Sequence, residues 1–159
     1  MKRILLLTLL LLTCSVGLSL AQDEADSTKA ESPDSVEMAD DGRVTTELGV
    51  TYKDLAVGSG PAVKMGTKAK VHYTLWLNDG QDNKGKRLQS SKDRDQPFVC
   101  TVGYRLIPGW SDGMIGMQEG GIRQLWVPSS LAYGPRGMPP VIPANADIIF
   151  EIELLEIME

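Results

Sequence analysis

The chain has 159 residues, a formal net charge of −5, one histidine and two cysteines. From residue 44 onward the charges nearly balance, and the absence of a basic patch excludes a nucleic-acid partner from our expectations. A single histidine and two separated cysteines give no metal-ligand spacing, and no glycine-rich phosphate loop precedes a helix. We therefore predict a protein that needs neither a metal nor a cofactor.

The first 21 residues have the pattern of a secretory signal peptide. Lys2-Arg3 is followed by an apolar run over residues 4–12, and Ser19-Leu20-Ala21 is a small-x-small cleavage site. The apolar run is too short to span a membrane comfortably. We predict signal cleavage after residue 21, export to the periplasm or the medium, and no membrane insertion after cleavage. The alternative is a lipid anchor on Cys14, which lies in a poor version of a bacterial lipoprotein box.

Residues 22–43 differ from the rest of the chain in charge. This segment contains eight acidic residues but only two basic ones, Lys29 and Arg43, and it has no aromatic residue. Such a segment cannot bury enough apolar surface to offset the entropy of ordering. We predict a disordered acidic linker over residues 22–43, with a partner-binding tail as the alternative, and one folded domain over residues 44–159. Because the linker shows no helical pattern that could mediate dimerisation, we predict a monomer.

The folded part has mainly strand-like patterns. Strands are predicted over residues 44–48, 50–55, 68–77, 97–102, 122–127 and 147–157. Residues 68–77 alternate most clearly, which places Tyr73 inward and His72 outward as a surface residue. The last strand places Phe150 inward and Ile149 outward, and residues 78–86 form an exposed connection.

One short helix interrupts the strands. Pro108-Gly109 forms a sharp turn, after which Trp110, Met114 and Met117 recur on one helical face before Gly120-Gly121. A helical turn over residues 128–134 leads into a Pro- and Gly-rich flap over residues 135–143. Its apolar residues look exposed and indicate a rim that contacts a ligand; they are Met138, Val141 and Ile142. The pattern predicts an α+β fold in which a curved antiparallel sheet wraps around one short helix.

The chain lacks the usual catalytic groups. There is no second histidine, no Cys–His pair and no G-x-S-x-G motif. Cys100 is read as a small buried apolar residue. What remains is a set of inward aromatic and aliphatic residues that could be core or could line an apolar pocket. Tyr73 and Tyr133 favour the pocket, because a buried phenol needs a hydrogen-bond partner and suits a ligand carbonyl.

Six segments together resemble the FKBP-type peptidyl-prolyl cis-trans isomerases. They lie at residues 71–74, 90–98, 106–110, 131–134, 142–146 and 149–155, in the family's order over about residues 46–158. The resemblance implies an antiparallel sheet of five to six strands around one helix. It also implies a prolyl pocket that accelerates rotation about X–Pro bonds, with proline-containing polypeptides as substrates and the family's macrolides as inhibitors.

The resemblance also implies roles for particular residues. The catalytic positions are Tyr73, Ile107, Tyr133 and Phe150, where the Ile107 N–H and the Tyr133 hydroxyl bind the carbonyls that flank the proline. Trp110 forms the pocket floor. The substrate-binding positions are Leu88, Gln89, Phe98, Leu106, Trp110, Met138, Val141 and Ile142.

The chain departs from the family pattern at several pocket positions. Leu88-Gln89 stands where the family has Phe-Asp, so the carboxylate that would accept from Tyr73 and pair with Arg94 is missing. Cys100 replaces an aromatic residue, and Met138 stands where His is often found. These departures predict reduced catalysis. They also leave open a non-catalytic or weakly catalytic peptide-binding chaperone module with the same fold.

Overall fold

A computed structural model describes residues 37–38 and 41–158. In this part of the chain, eight strands form one antiparallel sheet and one α-helix packs against it. The strands are β1 (Glu37–Met38), β2 (Val44–Thr45), β3 (Thr51–Ala56), β4 (Lys68–Asn78), β5 (Lys84–Ser90), β6 (Phe98–Thr101), β7 (Ile122–Val127) and β8 (Ile148–Met158), and the helix is α1 (Pro108–Met114). The predicted α+β class is confirmed, with eight strands in the described residues rather than five to six.

Strand β4 pairs with three other strands, β5, β6 and β8. The sheet order is β1-β2-β3-β7-β8-β4-β5, and β6 also pairs with β4 beside β5. The predicted alternation is confirmed at Ala69, Val71 and Leu75, which are buried, but Thr74 on the predicted outer face is buried as well. Side chains alternate between the two faces of a strand, so Tyr73 lies on the same face of β4 as Val71 and Leu75. That face is the core face, and β6 and β8 pair with β4 on either side.

Helix α1 begins with proline and ends earlier than its pattern predicted. Pro108 occupies the first helical turn, where its missing N–H costs no hydrogen bond. The helix stops at Met114, and Met117 is buried beyond its end, where its N–H donates to the Met114 carbonyl at 3.0 Å. Met117 therefore belongs to the core but not to the helix.

The C-terminal end of α1 is tied to the sheet by a buried arginine. The Arg123 guanidinium donates to the carbonyls of Gly113 and Ile115, both at 3.0 Å. Its other nitrogens donate to Asp54, Nε at 2.6 Å and Nη2 at 3.0 Å. These bonds satisfy carbonyls that lack partners at a helix end and hold α1 against β3 and β7.

The connection after β4 is shorter than predicted and covers the outer face of the sheet. Strand β5 begins at Lys84, inside the segment that was predicted to be an exposed connection up to residue 86. The Asp82 carbonyl accepts from Trp126 Nε1 at 2.8 Å. Ile149 was predicted to face outward, and that face is not solvated, since Ile149 is fully buried. The prediction failed because period-2 alternation cannot reveal that the second face is also covered; Ile149 lies between Trp76 and Trp126 in the sheet register.

The N-terminal strands differ from the predicted ones. Strand β1 pairs with β2 and lies within the segment that was predicted to be linker. Only Val44–Thr45 of the predicted strand 44–48 is in β2, because the chain turns where Gly49 donates to the Thr46 carbonyl at 2.9 Å. The predicted signal peptide, Cys14 and most of the predicted linker lie outside the described residues.

The flap is a tight hairpin with a buried anchor. Short 3-10 turns at Ser129–Leu131 and Gly134–Arg136 lead into it. The Met138 N–H donates to the Ile142 carbonyl at 2.8 Å, and the reverse bond is 2.9 Å. Met138 and Val141 are exposed as predicted, but Ile142 is fully buried. Its predicted exposure was wrong, because the hairpin turns this side chain into the core.

Candidate functional site

Four aromatic rings from four separate elements meet at one place. Tyr73 comes from β4, Phe98 from β6, Trp110 from α1 and Phe150 from β8. The Trp110 ring lies 4.7 Å from the Phe150 ring, 5.1 Å from the Tyr73 ring and 5.9 Å from the Phe98 ring, measured between centroids. Tyr73 and Phe98 are 5.8 Å apart in an edge-to-face arrangement. The rings predicted from separate segments therefore form one aromatic cluster, with Trp110 in contact with the other three.

The aromatic cluster runs from the core to the surface. Phe150 is 1% exposed and Trp110 is 6% exposed, whereas Tyr73 is half-buried and Phe98 is 38% exposed. The Trp110 Nε1–H donates to the Met114 sulfur at 2.7 Å, which fixes the indole on its helix. The sequence left open whether these residues were core or pocket. Phe150 and Trp110 are core residues whose rings lie directly beneath two partly exposed ones.

A backbone donor lies beside this cluster at the start of α1. The Ile107 carbonyl accepts from the N–H groups of Trp110 at 3.1 Å and Ser111 at 3.3 Å. Within residues 41–158 the Ile107 N–H itself has no acceptor. The side chains of Leu106 and Ile107 pack against the hydrophobic core next to Trp110. Since backbone N–H groups near a core are nearly always paired, this one is available to a ligand carbonyl.

Two tyrosine hydroxyls complete the polar part of the site. Burial raises the pKa of Tyr73, and the charge of a nearby Tyr133 phenolate would raise it further, while the Arg94 guanidinium opposes both effects. Burial also raises the pKa of Tyr133. Both phenols therefore keep their protons at neutral pH and can act as hydrogen-bond donors.

Leu88 and Gln89 lie at the end of β5, which forms one wall of the site. Gln89 lines a cleft of about 200 Å³ together with Tyr73 and Phe98. Leu88 is half-buried against the core, and Gln89 is exposed. Within residues 41–158 Gln89 makes no hydrogen bond to the Tyr73 hydroxyl. The predicted loss of the acidic partner at this position thus leaves Tyr73 without a replacement acceptor from Gln89.

Sequence reasoning missed the serines that position this wall. Ser91 Oγ accepts from the Tyr73 N–H at 2.9 Å and lies 2.9 Å from His72 Nδ1. Ser90 Oγ lies 2.8 Å from Thr74 Oγ1 and accepts from the Lys92 N–H at 3.2 Å. The Ser-Ser pair was visible in the sequence, but its hydrogen bonds depend on the pairing of β4 with β5, which the sequence did not predict.

The flap and its flanking residues form the rest of the predicted site. Tyr133 packs against the core just before the hairpin, and Ile142 anchors the hairpin from below. Met138 and Val141 remain exposed at the hairpin tip. Ile142 can therefore act on a ligand only from beneath the surface, whereas Met138 and Val141 are accessible.

The described residues were also compared with what a metal site, a reactive thiol or a membrane-spanning helix requires. No three His, Cys, Asp or Glu side chains within residues 41–158 are placed to hold a metal ion. Burial raises the pKa of Cys100 to about 11, so this thiol stays protonated. None of the helices in the described part of the chain is both long and apolar enough to cross a membrane.

Comparison with known proteins identifies the family. Residues 60–155 match the model of the FKBP-type peptidyl-prolyl cis-trans isomerases. The chain belongs to this family. An FK506-binding protein of Neisseria meningitidis serogroup B is 43% identical over 112 residues, which cover 70% of this chain and 98% of that protein. The human peptidyl-prolyl cis-trans isomerase FKBP2 is 44% identical over 135 residues, covering 72% of this chain and 92% of that protein.

Solved structures agree with the family assignment. FkpA from Escherichia coli has a TM-score of 0.65 and 34% identity over 73% of this chain and 51% of the FkpA chain. AtFKBP13 has a TM-score of 0.64 and 31% identity over 73% of this chain and 98% of its own. The FKBP-type fold accounts for the antiparallel sheet and the α-helix of the described residues, and the aromatic cluster lies on the face of the sheet against which that helix packs.

Proposed function

We propose that this FKBP-type protein accelerates rotation about X–Pro bonds in exported polypeptides by enclosing the proline against the aromatic cluster. The observation that carries the proposal is the contact of three aromatic rings with Trp110, beside the Ile107 N–H. A proline ring is apolar and lacks an N–H, so it can enter such a site without leaving a buried donor unpaired.

The chemistry requires no acid, base or nucleophile. An X–Pro amide is held planar by resonance, and a peptide bond has a rotation barrier of about 18–20 kcal/mol. In the twisted transition state the nitrogen and the carbonyl lose conjugation and part of their charge separation. An apolar enclosure made by Phe98, Trp110 and Phe150 favours this less polar state over the solvated planar amide. Each 1.4 kcal/mol of this preference is about a tenfold acceleration.

Two donors orient the substrate. We assign the Ile107 N–H and the Tyr133 hydroxyl to the carbonyls that flank the proline. The assignment is supported by the lack of an acceptor for the Ile107 N–H within residues 41–158 and by the raised pKa of Tyr133. Leu106, Leu88 and the exposed hairpin residues would line the approach to the proline, and the family's macrolides would compete for the same pocket.

A second function remains a candidate because of Gln89. This residue is exposed and makes no hydrogen bond to the Tyr73 hydroxyl within the described part of the chain. If the pocket binds proline without stabilising the twisted amide, the protein is a peptide-binding chaperone module instead. The double substitution Leu88→Phe with Gln89→Asp distinguishes the two functions. A rise in activity above about tenfold would indicate a weakened site, and a change below about twofold would show that the native pair suffices.

The proposed activity is tested with a proline-limited refolding assay on the intact chain. The slow refolding phase should accelerate in proportion to protein concentration. Phe98→Ala removes the most exposed ring of the cluster and should lower this acceleration about tenfold. Val57→Ala also shortens an exposed apolar side chain, just after β3 and away from β4 and β6 in the strand order, so it is the control and should leave the acceleration unchanged. An unaccelerated slow phase with folded protein would refute the proposal.

Export is tested at the N-terminus. Mass spectrometry of the mature protein should find Gln22 as the first residue if the signal peptide is cleaved after Ala21. A diacylated Cys14 at the N-terminus would show the lipid-anchored alternative, and an intact Met1 would refute export. The absence of a dimer in size-exclusion chromatography with light scattering would support the predicted monomer.

A further inference from the structure

A cationic cleft lies directly beside the aromatic cluster and is separate from the one that contains Gln89. It has a volume of about 250 Å³ and shares Phe98 and Leu106 with the proposed proline site. Its charged lining residues are Lys68 and Arg105, and it has no acidic lining residue. Both this cleft and the one that contains Gln89 are lined by Phe98, so each is next to a proline that lies on the cluster.

Three cations near the site have no salt bridge to any described residue. Within residues 41–158 no carboxylate lies within 4.0 Å of the side-chain nitrogens of Lys68, Arg94 or Arg105. The nearby Glu156 is 3.6 Å from Lys70 and is thereby partly neutralised. Several other cations of the sheet are paired, as Arg123 is with Asp54 and Lys84 with Glu151. Among the described residues, the two clefts beside Phe98 are therefore bordered by three cations that have no salt bridge.

The Arg105 backbone holds its side chain at the edge of this cleft. Its φ is +54°, in the left-handed region that residues other than glycine seldom adopt. The guanidinium lies 5.1 Å from the centroid of the exposed Tyr104 ring, which also lines the cleft. A stacked guanidinium keeps its in-plane N–H groups available to a carboxylate. This places a planar donor next to the aromatic cluster.

We infer that the protein selects proline-containing polypeptides with an acidic side chain close to the proline, whose carboxylate binds between Lys68 and Arg105. This inference rests on the proposed function, because it places the substrate's proline on the aromatic cluster. Two cations in a cleft that no described acidic residue lines attract a carboxylate and repel a substrate lysine, so the preference is electrostatic and depends on ionic strength. On the opposite side of Phe98, Arg94 extends the positive border and lies near the Tyr73 hydroxyl.

The test compares peptides that differ only in one side chain. Two sets carry glutamate, glutamine or lysine either two residues before or two residues after the same Leu-Pro bond. Both kcat/KM for isomerisation and Kd are measured with the intact protein at about 0.05 M and 0.5 M NaCl. In at least one set the glutamate peptide should exceed the glutamine peptide about three- to tenfold at low salt, and the difference should fall below about twofold at high salt.

Substitutions assign the preference to the cleft. Arg105→Gln and Lys68→Gln should each reduce the glutamate preference at least about twofold and leave the glutamine peptide nearly unchanged. Lys53→Gln on β3 makes the same change of charge away from the cleft and should retain the preference. Equal values for all three side chains in both sets, or a preference that survives both cleft substitutions, would overturn the inference. If no peptide is isomerised but the Kd values show the preference, the proposed function fails and the inference about binding stands.

Discussion

Removing the Tyr133 hydroxyl tests the proposed hydrogen bond from this residue to a substrate carbonyl. Tyr133→Phe removes one oxygen and keeps the ring that packs against the core. Within residues 41–158 this hydroxyl makes no hydrogen bond to the protein, so its loss should change the free energy of unfolding by less than about 0.5 kcal/mol. If the hydroxyl donates to a substrate carbonyl, its loss should cost about 0.5–1.5 kcal/mol of transition-state stabilisation, a fall in kcat/KM of about two- to tenfold.

The matched control for this change is Tyr73→Phe. Tyr73 also loses only a hydroxyl, and it remains in contact with Trp110 through its ring at 5.1 Å. The assay is kcat/KM for a Leu-Pro peptide, with urea denaturation of each variant. We expect the larger loss of activity for Tyr133→Phe and little loss of stability in either variant. Full activity in Tyr133→Phe together with a large loss in Tyr73→Phe would refute the assignment of the donor.

Other predictions concern stability, reactivity and pH. Asp54→Ala leaves Arg123 buried without its carboxylate and should lower the free energy of unfolding in urea by about 2 kcal/mol; a loss under about 0.5 kcal/mol would contradict the anchoring role. Gly109→Ala would place a Cβ 2.3 Å from a Val127 methyl carbon and should destabilise the protein by about 1–3 kcal/mol in the same assay, unlike a tolerated surface substitution. Cys100, whose pKa is raised to about 11, should resist iodoacetamide in the native protein at pH 8 and react after unfolding; rapid native labelling would contradict its burial. Because the pKa values of both site tyrosines are raised from 10.0, their hydroxyls stay protonated at higher pH, so kcat/KM for an uncharged peptide should be constant between about pH 7 and 9; a steep change there would reveal a titrating catalytic group.

The sequence predicted the fold best where one face of a strand is buried. The first half of β4 alternates as predicted, because Ala69 and Val71 meet the core while Lys68 is exposed and Lys70 is only half-buried. Strand β5 was missed because it is an edge strand whose exposed lysines and arginine look like a polar connection. Ile149 and Ile142 were misplaced for a related reason. The burial of Ile149 depends on its strand neighbours Trp76 and Trp126, and that of Ile142 depends on the flap hairpin, and periodicity carries no information about either.

The candidate site was predictable in its composition but not in its geometry. The inward positions of Tyr73 and Phe150 follow from strand period, and that of Trp110 follows from its helical spacing with Met114. Their contact across four elements required the fold, and the family resemblance supplied it before the structure did. The cationic cleft could not be foreseen, because Lys68 and Arg105 are far apart in sequence and line the same cleft only after β4 pairs with β6.

The measurement that tests the central claim most directly is NMR exchange spectroscopy of a Leu-Pro peptide with the intact protein. At substoichiometric protein the cis–trans exchange rate should rise linearly with protein concentration. The same experiment with folded Phe98→Ala should show about a tenfold smaller increase. Peptide binding at the aromatic cluster without any increase in exchange would contradict the claim that this cluster is a catalytic prolyl pocket.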